Sequence, residues 1–267
     1  MVRENRERLA RTFDLSARLY DEARPGYPEE LFEDLVGLCE IHDGGTVLEV
    51  GCGTGKATLP LARRGYRILC LEPGANLAAI ARRNLAAFKH AVEVRERTFE
   101  EWEPGSEAFD MVVAATSFWW VDPKARYART AAVLRPGGCA AVFWNVHVER
   151  PGHDGFFGEV QGAYRRHASG LVGGPRDPDE LPTTLDRGFL ETGLFEEVAV
   201  RHYPWTETYD TDRYLRLLRT FSDHIALAEA SREALLAEIA TLIDRGFGGR
   251  VEKHHVAVLQ VARRRGT

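Results

Sequence analysis

The stretch VLEVGCGTGKAT, residues 47–58, decides how the chain is read. With Thr46 it opens as a short, unbroken apolar run, the pattern of a strand buried on both faces of a parallel sheet. Three glycines at alternate positions (Gly51, Gly53, Gly55) then make a tight turn, and the apolar periodicity that follows predicts a helix closed by Gly65. Glu49 is a carboxylate inside the apolar run. The next strand, YRILCLE, ends on a second acid, Glu72, 21 residues after Gly51. Pro73 biases Glu72 towards an extended backbone. In open parallel sheets ligands bind beyond the carboxyl ends of the strands, where the strand order reverses. A Gly-rich turn there admits close backbone approach, and an acid after the second strand can accept both hydroxyls of a ribose. A dinucleotide fingerprint would carry another glycine three residues after Gly53; Lys56 stands there.

Reading outwards, residues 29–41 (EELFEDLVGLCEI) have helical spacing and stop at His-Asp-Gly-Gly. A helix is expected over 75–88, and strands at AVEVRE, FDMVVAA and CAAVFWN. Asp122 and Pro123 read as an N-cap and first helical residue of a helix to Leu134, stopped by RPGG. Strand–helix alternation of this kind implies right-handed crossovers and a parallel sheet. The alternation ends after Asn145. Residues 150–182 are rich in Gly, Pro and charge around an aromatic helix (FFGEVQGAYRRH). Then come a helix at 184–193, an alternating strand (FEEVAVRHYPWTETY), helices at 211–222 and 230–246, and a last strand (HHVAVLQVARR). The expected α/β fold is one seven-stranded, mostly parallel sheet with an antiparallel edge strand and a small helical cap. Residues 1–149 form the cofactor-binding core with N-terminal helices. Residues 150–267 supply the cap insertions and the closing strands of the same single domain.

Composition narrows the functions. The 267 residues are 44% hydrophobic and 28% charged, an ordinary globular balance. No apolar run reaches the ~18 residues of a membrane span. MVRENRERLAR lacks the apolar core of a leader. A net charge of −5 and a pI near 6.0 argue against a nucleic-acid footprint. Of four isolated cysteines, Cys52, Cys70 and Cys139 lie in or beside apolar runs, as reduced core thiols do. No metal-ligand spacing is present. A cytoplasmic protein, monomeric or homodimeric, is expected, and the Arg run 263–265 reads as a solvated tail.

These motifs resemble the class I S-adenosylmethionine-dependent methyltransferases. VLEVGCGTGKAT is similar to that family's first motif and LCLEPG to its ribose-binding acidic motif. FDMVVAATSFWWVDP is similar to its strand-four motif, and LRPGG to its turn before strand five. YDEARPGYP (20–28), TFEEW (98–102) and TFSDH (220–224) further resemble a bacterial small-molecule, methyltransferase type 11-like subgroup. The resemblance implies a Rossmann-like sheet and S-adenosylmethionine as cofactor, leaving S-adenosylhomocysteine as product. It implies that Glu49 orients the methionine amino group and that Gly51, Cys52, Gly53 and Gly55 lie along the methionine and ribose. Glu72 would take the ribose hydroxyls, and Phe99 and Glu100 would flank the adenine. Tyr20, Arg24, Ala115 and Trp120 would contact or cover the cofactor.

Displacement at a sulfonium methyl expels a neutral thioether, so no acid is needed, and alignment and exclusion of water can supply much of the rate. A base is needed only for an acceptor that keeps its proton late. His147 after strand five and His224 beside Asp223 are the candidates. The Asn/Asp-Pro-Pro-aromatic phrase of nucleobase and amide nitrogen methylation is absent, which disfavours those targets. The expected acceptor is a small molecule that aromatic cap residues would suit. Alternatives are an RNA methyltransferase, which would need a basic face, a non-catalytic cofactor-binding regulator, and an NAD-dependent oxidoreductase, which Lys56 disfavours. In the subgroup, TSFWWVDP usually reads Phe-His-Trp, so Trp119 stands in place of a histidine. Trp119 is therefore expected either as an apolar wall beside the reacting methyl group or as an indole packed under the cap.

Overall fold

The apolar runs pair into a seven-stranded sheet in the order β3-β2-β1-β4-β5-β7-β6. The structure, a computed structural model, describes residue 14 and residues 16–150 and 155–266. The N-terminal Arg/Glu alternation lies outside the described residues. Helices α1 (Ala17–Ala23) and α2 (Glu29–Cys39) lead to β1 (Thr46–Val50). The glycine turn leads into α3 (Thr58–Arg63), β2 (Arg67–Leu71), α4 (Ala75–Asn84), β3 (Val92–Arg95) and β4 (Phe109–Ala115). Helix α5 (Arg126–Val133) and β5 (Leu134–His147) complete the parallel half. Beyond it lie α6 (Phe156–Glu159), α7 (Gln161–His167), α8 (Arg187–Glu191), β6 (Phe195–Asp210), α9 (Thr211–Leu218), α10 (Ser222–Ile225), α11 (Glu229–Gly246) and β7 (Arg250–Arg264).

Strands β1 to β5 are mutually parallel, with the order reversing between β1 and β4. Strand β7 runs antiparallel between β5 and β6. The expected mixed sheet is therefore present, and the reversed strand is the inner member of the closing pair. Alternation along each strand builds two cores. Val47, Ile68, Met111, Phe143 and Leu259 meet Leu31, Phe32 and Leu35 of α2 on one face. Leu48, Leu69, Val112 and Val142 meet Ala131, Phe189 and Phe195 on the other. A third cluster holds the cap: Leu235, Leu236, Ile239 and Ile243, one stripe of α11, pack with Phe156, Tyr209, Tyr214 and Ala23 of α1. Each such buried Leu, Ile or Phe contributes about 1.5–3 kcal/mol.

Several local expectations are corrected. Asp122 does not cap α5. Its side chain accepts from the Lys124 N–H at 3.0 Å and its carbonyl from Ala125 and Arg126, making a preceding turn, and the helix proper starts at Arg126. The aromatic helix of the cap is interrupted at Val160, between α6 and α7, and residues 211–222 divide between α9 and α10. The Arg run is no solvated tail, because β7 continues to Arg264. Arg263 donates to the carbonyls of Leu38 (3.1 Å) and Gly137 (3.2 Å), and Arg265 to that of Phe195 (3.1 Å). Leu38 lies in the last turn of α2, where carbonyls lack intrahelical partners and favour a cation.

Candidate active site

At the reversal between β1 and β4 the backbone is tightly constrained. Gly51 has φ +69°, and a Cβ there would fall 2.6 Å from the Ser117 Cβ. The Ser117 hydroxyl donates to the Val50 carbonyl, tying the ends of β1 and β4 together. The Gly51 N–H donates to the Leu71 carbonyl at 2.8 Å, which ties the turn to β2. Gly51→Ala is expected to lower stability by about 2–4 kcal/mol, from the left-handed backbone and the overlap together. Adding Ser117→Gly should restore only the overlap part. Urea denaturation of both variants checks this, and a stable single variant would contradict the geometry.

The two acids behave differently. Glu72, 5% exposed, accepts from Gly53 N–H at 2.8 Å on one oxygen and from Gly74 N–H at 2.9 Å on the other, joining the turns after β1 and β2. Burial pushes its carboxyl up, and these two hydrogen bonds oppose the shift. Glu49 is fully buried, and neither carboxylate oxygen has a hydrogen-bond partner among the described residues. Burial pushes its pKa up to about 8, with the Thr58 hydroxyl pulling it down and Glu72 adding to the rise. Cys52 is buried beside them, its thiol pushed up by Cys70 and by burial.

Helix α1 and the segment after it close over the turn. The Tyr20 ring lies 3.9 Å from where a Gly53 Cβ would sit. The Arg24 guanidinium lies 5.3 Å from the Tyr20 ring centre and 4.3 Å from that of Phe221. It is held by the Thr220 hydroxyl (2.8 Å) and carbonyl (3.0 Å). Tyr27 pairs its hydroxyl with that of Thr116 at 2.7 Å. Thr116, next after Ala115 at the end of β4, has φ +59°, a rare conformation for a β-branched residue and of the kind that gathers at functional sites. On the β3 side Phe99 is buried, and Glu100 accepts from the Asp122 N–H at 2.8 Å.

The structure thus gathers Tyr20, Arg24, Glu49, Gly51, Cys52, Gly53, Glu72 and Ala115 at the reversal, with Gly55 turned towards Leu85 and Phe99 and Glu100 at the adjoining strand end. Trp120 closes the short turn Phe118–Trp120 after β4. Trp119, 45% exposed, packs on Trp144 with ring centres 5.2 Å apart, on the face of β5 opposite Phe143 and His147. His224 is buried with Nε2 at 2.8 Å from the Tyr164 hydroxyl and Nδ1 at 2.8 Å from Asp223. His147 is held neutral, its pKa pushed down to about 2 by burial and by Lys253. The sequence reading passed over Ser117, Tyr27 and Lys253. For Lys253 the signal was a lysine in the polar run 252–255 that leads into the apolar stretch of β7. A groove at the opposite end of the strands, lined by Arg67, His90 and Phe109 among others, holds none of these groups.

A seven-stranded sheet of this order, with a glycine turn and two buried acids at its reversal, defines a nucleoside-cofactor-binding protein of the class I methyltransferase kind. A methyltransferase-domain profile matches residues 47–138. An uncharacterized methyltransferase of Mycobacterium tuberculosis is 32% identical over 247 residues, covering 86% of this chain and 94% of its own. A second, of Schizosaccharomyces pombe, is 23% identical and covers 88% of both chains. Among solved structures, a candidate type II methyltransferase from Anaeromyxobacter dehalogenans superposes with a TM-score of 0.61 at 25% identity, covering 90% of this chain and 97% of that one. A Geobacter sulfurreducens methyltransferase in complex with S-adenosylhomocysteine shares the fold at a TM-score of 0.55, 15% identity and coverage of 96% and 98%. The chain belongs to the S-adenosylmethionine-dependent methyltransferases, and S-adenosylmethionine is its cofactor.

Proposed function

We propose that the protein is a cytoplasmic enzyme that transfers a methyl group from S-adenosylmethionine to a small-molecule acceptor. The observation that carries the small acceptor is the roof over the strand ends. Helix α1 and the cap leave Lys253 8% exposed and His255 5% exposed, too enclosed for a nucleic-acid chain. Four free, buried thiols support the compartment. Among the described residues no helix is long and apolar enough to cross a membrane. Within one domain, residues 1–149 would serve the cofactor and residues 150–267 the acceptor.

The residues present suit the cofactor. The two Glu49 oxygens, without a hydrogen-bond partner among the described residues, would receive the methionine ammonium, and Glu72, with one hydrogen bond on each oxygen, retains acceptor capacity for the ribose hydroxyls. Gly51, Cys52, Gly53 and Gly55 would lie along the cofactor, with Phe99 and Glu100 beside the adenine. Tyr20, Arg24, Ala115 and Trp120 would cover it. When bound, the cofactor supplies an electrophilic methyl group on sulfur. The chain's own residues orient the acceptor and exclude water. We infer that no base is used: His224 has both ring nitrogens engaged, and His147 is too weak a base near neutrality. Trp119 we assign to packing against Trp144 rather than to a wall at the methyl group.

S-adenosylhomocysteine at about 100 times its dissociation constant should add about 2.7 kcal/mol and raise the melting temperature by several degrees, with no response to NAD. A response to NAD alone in differential scanning fluorimetry would sink the reading.

A further inference from the structure

Three polar groups that the cofactor reading leaves unused meet on one face of the sheet. Lys253 and His255 are two residues apart on β7, and His255 lies directly opposite His147 of β5. Their side chains therefore point the same way. The Lys253 ammonium sits 5.7 Å from the ring centres of both Phe157 and Phe221, and the residue is more than nine-tenths buried. His147 packs against Phe157 with centres 4.2 Å apart, and His255 stacks on Trp205 at 5.1 Å. Nε2 of His147 and both ring nitrogens of His255 are buried without a hydrogen-bond partner among the described residues.

Among the described residues, no carboxylate is paired with this cation. Glu207 faces Lys253 across β6 and β7, but its carboxylate pairs with Arg213 at 2.5 Å. Asp223 is half exposed and pairs with His224. Arg24, whose guanidinium lies 4.3 Å from the Phe221 ring centre, is also positive and further disfavours the charge on Lys253. A buried cation without a counter-charge is costly, and apolar walls make it more so. A site that keeps one suits a ligand bringing the opposite charge. The neutral imidazoles each keep an N–H to donate, and burial and the lysine charge hold them neutral. The cluster is joined to the glycine turn through contacts already described, Phe221 to Arg24 to Tyr20 to Gly53.

We propose that Lys253, with His147 and His255, binds an anionic group on the methyl acceptor, a carboxylate or a phosphate ester. The proposal rests on the methyltransferase reading of the neighbouring turn. The anion would be seated on the ammonium and the two imidazole N–H groups, with Phe157, Phe221 and Trp205 excluding water around it.

The test uses the full chain saturated with S-adenosylhomocysteine and titrated with succinate or glycerol phosphate, against chloride at equal ionic strength. One of the two anions should bind saturably, and which one separates carboxylate from phosphate. Lys253→Met should weaken that anion by at least ~tenfold, the loss of a charge-assisted contact, while leaving the affinity for S-adenosylhomocysteine unchanged. Unchanged cofactor affinity also shows that the variant is folded. Lys253→Arg should retain most of the anion binding. Three results would each overturn the proposal: no binding beyond the chloride control, full binding by Lys253→Met, or a matching loss of cofactor affinity in that variant, which would assign Lys253 to the cofactor. If S-adenosylhomocysteine fails to bind the wild type while the anion still binds through Lys253, the methyltransferase reading fails and the anion site stands.

Discussion

Glu72→Ala is expected to lower the affinity for S-adenosylhomocysteine by at least ~100-fold while leaving the fold intact. The carboxylate of Glu72 accepts from the backbone N–H of Gly53 and of Gly74, so its removal strands two donors and unties two turns at once. A buried donor left without a partner costs about 1–3 kcal/mol. On the proposed reading the ribose loses its acceptor as well. The stranded donors lower the stability of free and bound protein alike, whereas losing about 3 kcal/mol from the ribose contacts and the loosened turns is over a hundredfold in dissociation constant. Titration calorimetry measures it, with circular dichroism as the folding control. Glu72→Gln, which keeps one acceptor oxygen, should fall between wild type and Ala. Equal affinity in Glu72→Ala would place the ribose elsewhere.

Glu49→Gln should act with opposite signs on stability and on binding. The folded, ligand-free protein raises this carboxyl from 4.5 to about 8. A group raised on folding contributes stability below its unfolded value and loses it as pH rises through the folded value. The ligand-free wild type should therefore lose stability across pH 4.5 to 8 through this residue. Glutamine has no proton to lose, so the variant should be the more stable protein at pH 8, as urea midpoints would show. The proposed ammonium contact needs the ionised carboxylate. Glu49→Gln should therefore weaken cofactor binding by ~10-fold or more, the range of one charge-assisted hydrogen bond. Wild-type binding at pH 7 should release a proton, visible as a buffer-dependent heat, and should tighten as pH rises towards 8. A variant that is less stable than wild type at pH 8, or binds equally well, would remove Glu49 from this role.

What was legible in the sequence is what local pattern determines. Val47 to Thr58 writes strand, turn and helix in consecutive residues, and Gly51 and Glu72 follow from spacing within one crossover. The seven strands were likewise visible as apolar or alternating runs. What escaped depends on register between distant segments. That Arg263 reaches the end of α2, or that Lys253 shares a face with His147, follows from the pairing of β7 with β5. Asp122 misled because Asp-Pro opens either a helix or a turn, and the carbonyl contacts chose the turn. The resemblance separated Trp119 from Trp120 but left Trp119 between a wall at the methyl group and packing. The pleat of β5 separates Trp144 from Phe143 and so sends the Trp119 indole to the face opposite His147.

The placement of β7 bears on the order of assembly. Strand β6 is bonded to the sheet only through β7, although β7 follows it in the chain. During synthesis β6 must wait, with its edge exposed, for a partner still to be made, whereas β1 to β5 can already pair. The half of the sheet bearing the glycine turn can thus be organised first, and the face bearing Lys253 can be completed only when β7 threads between β5 and β6. Unfinished chains would carry the glycine turn without Lys253, together with an open strand edge prone to pairing with other chains.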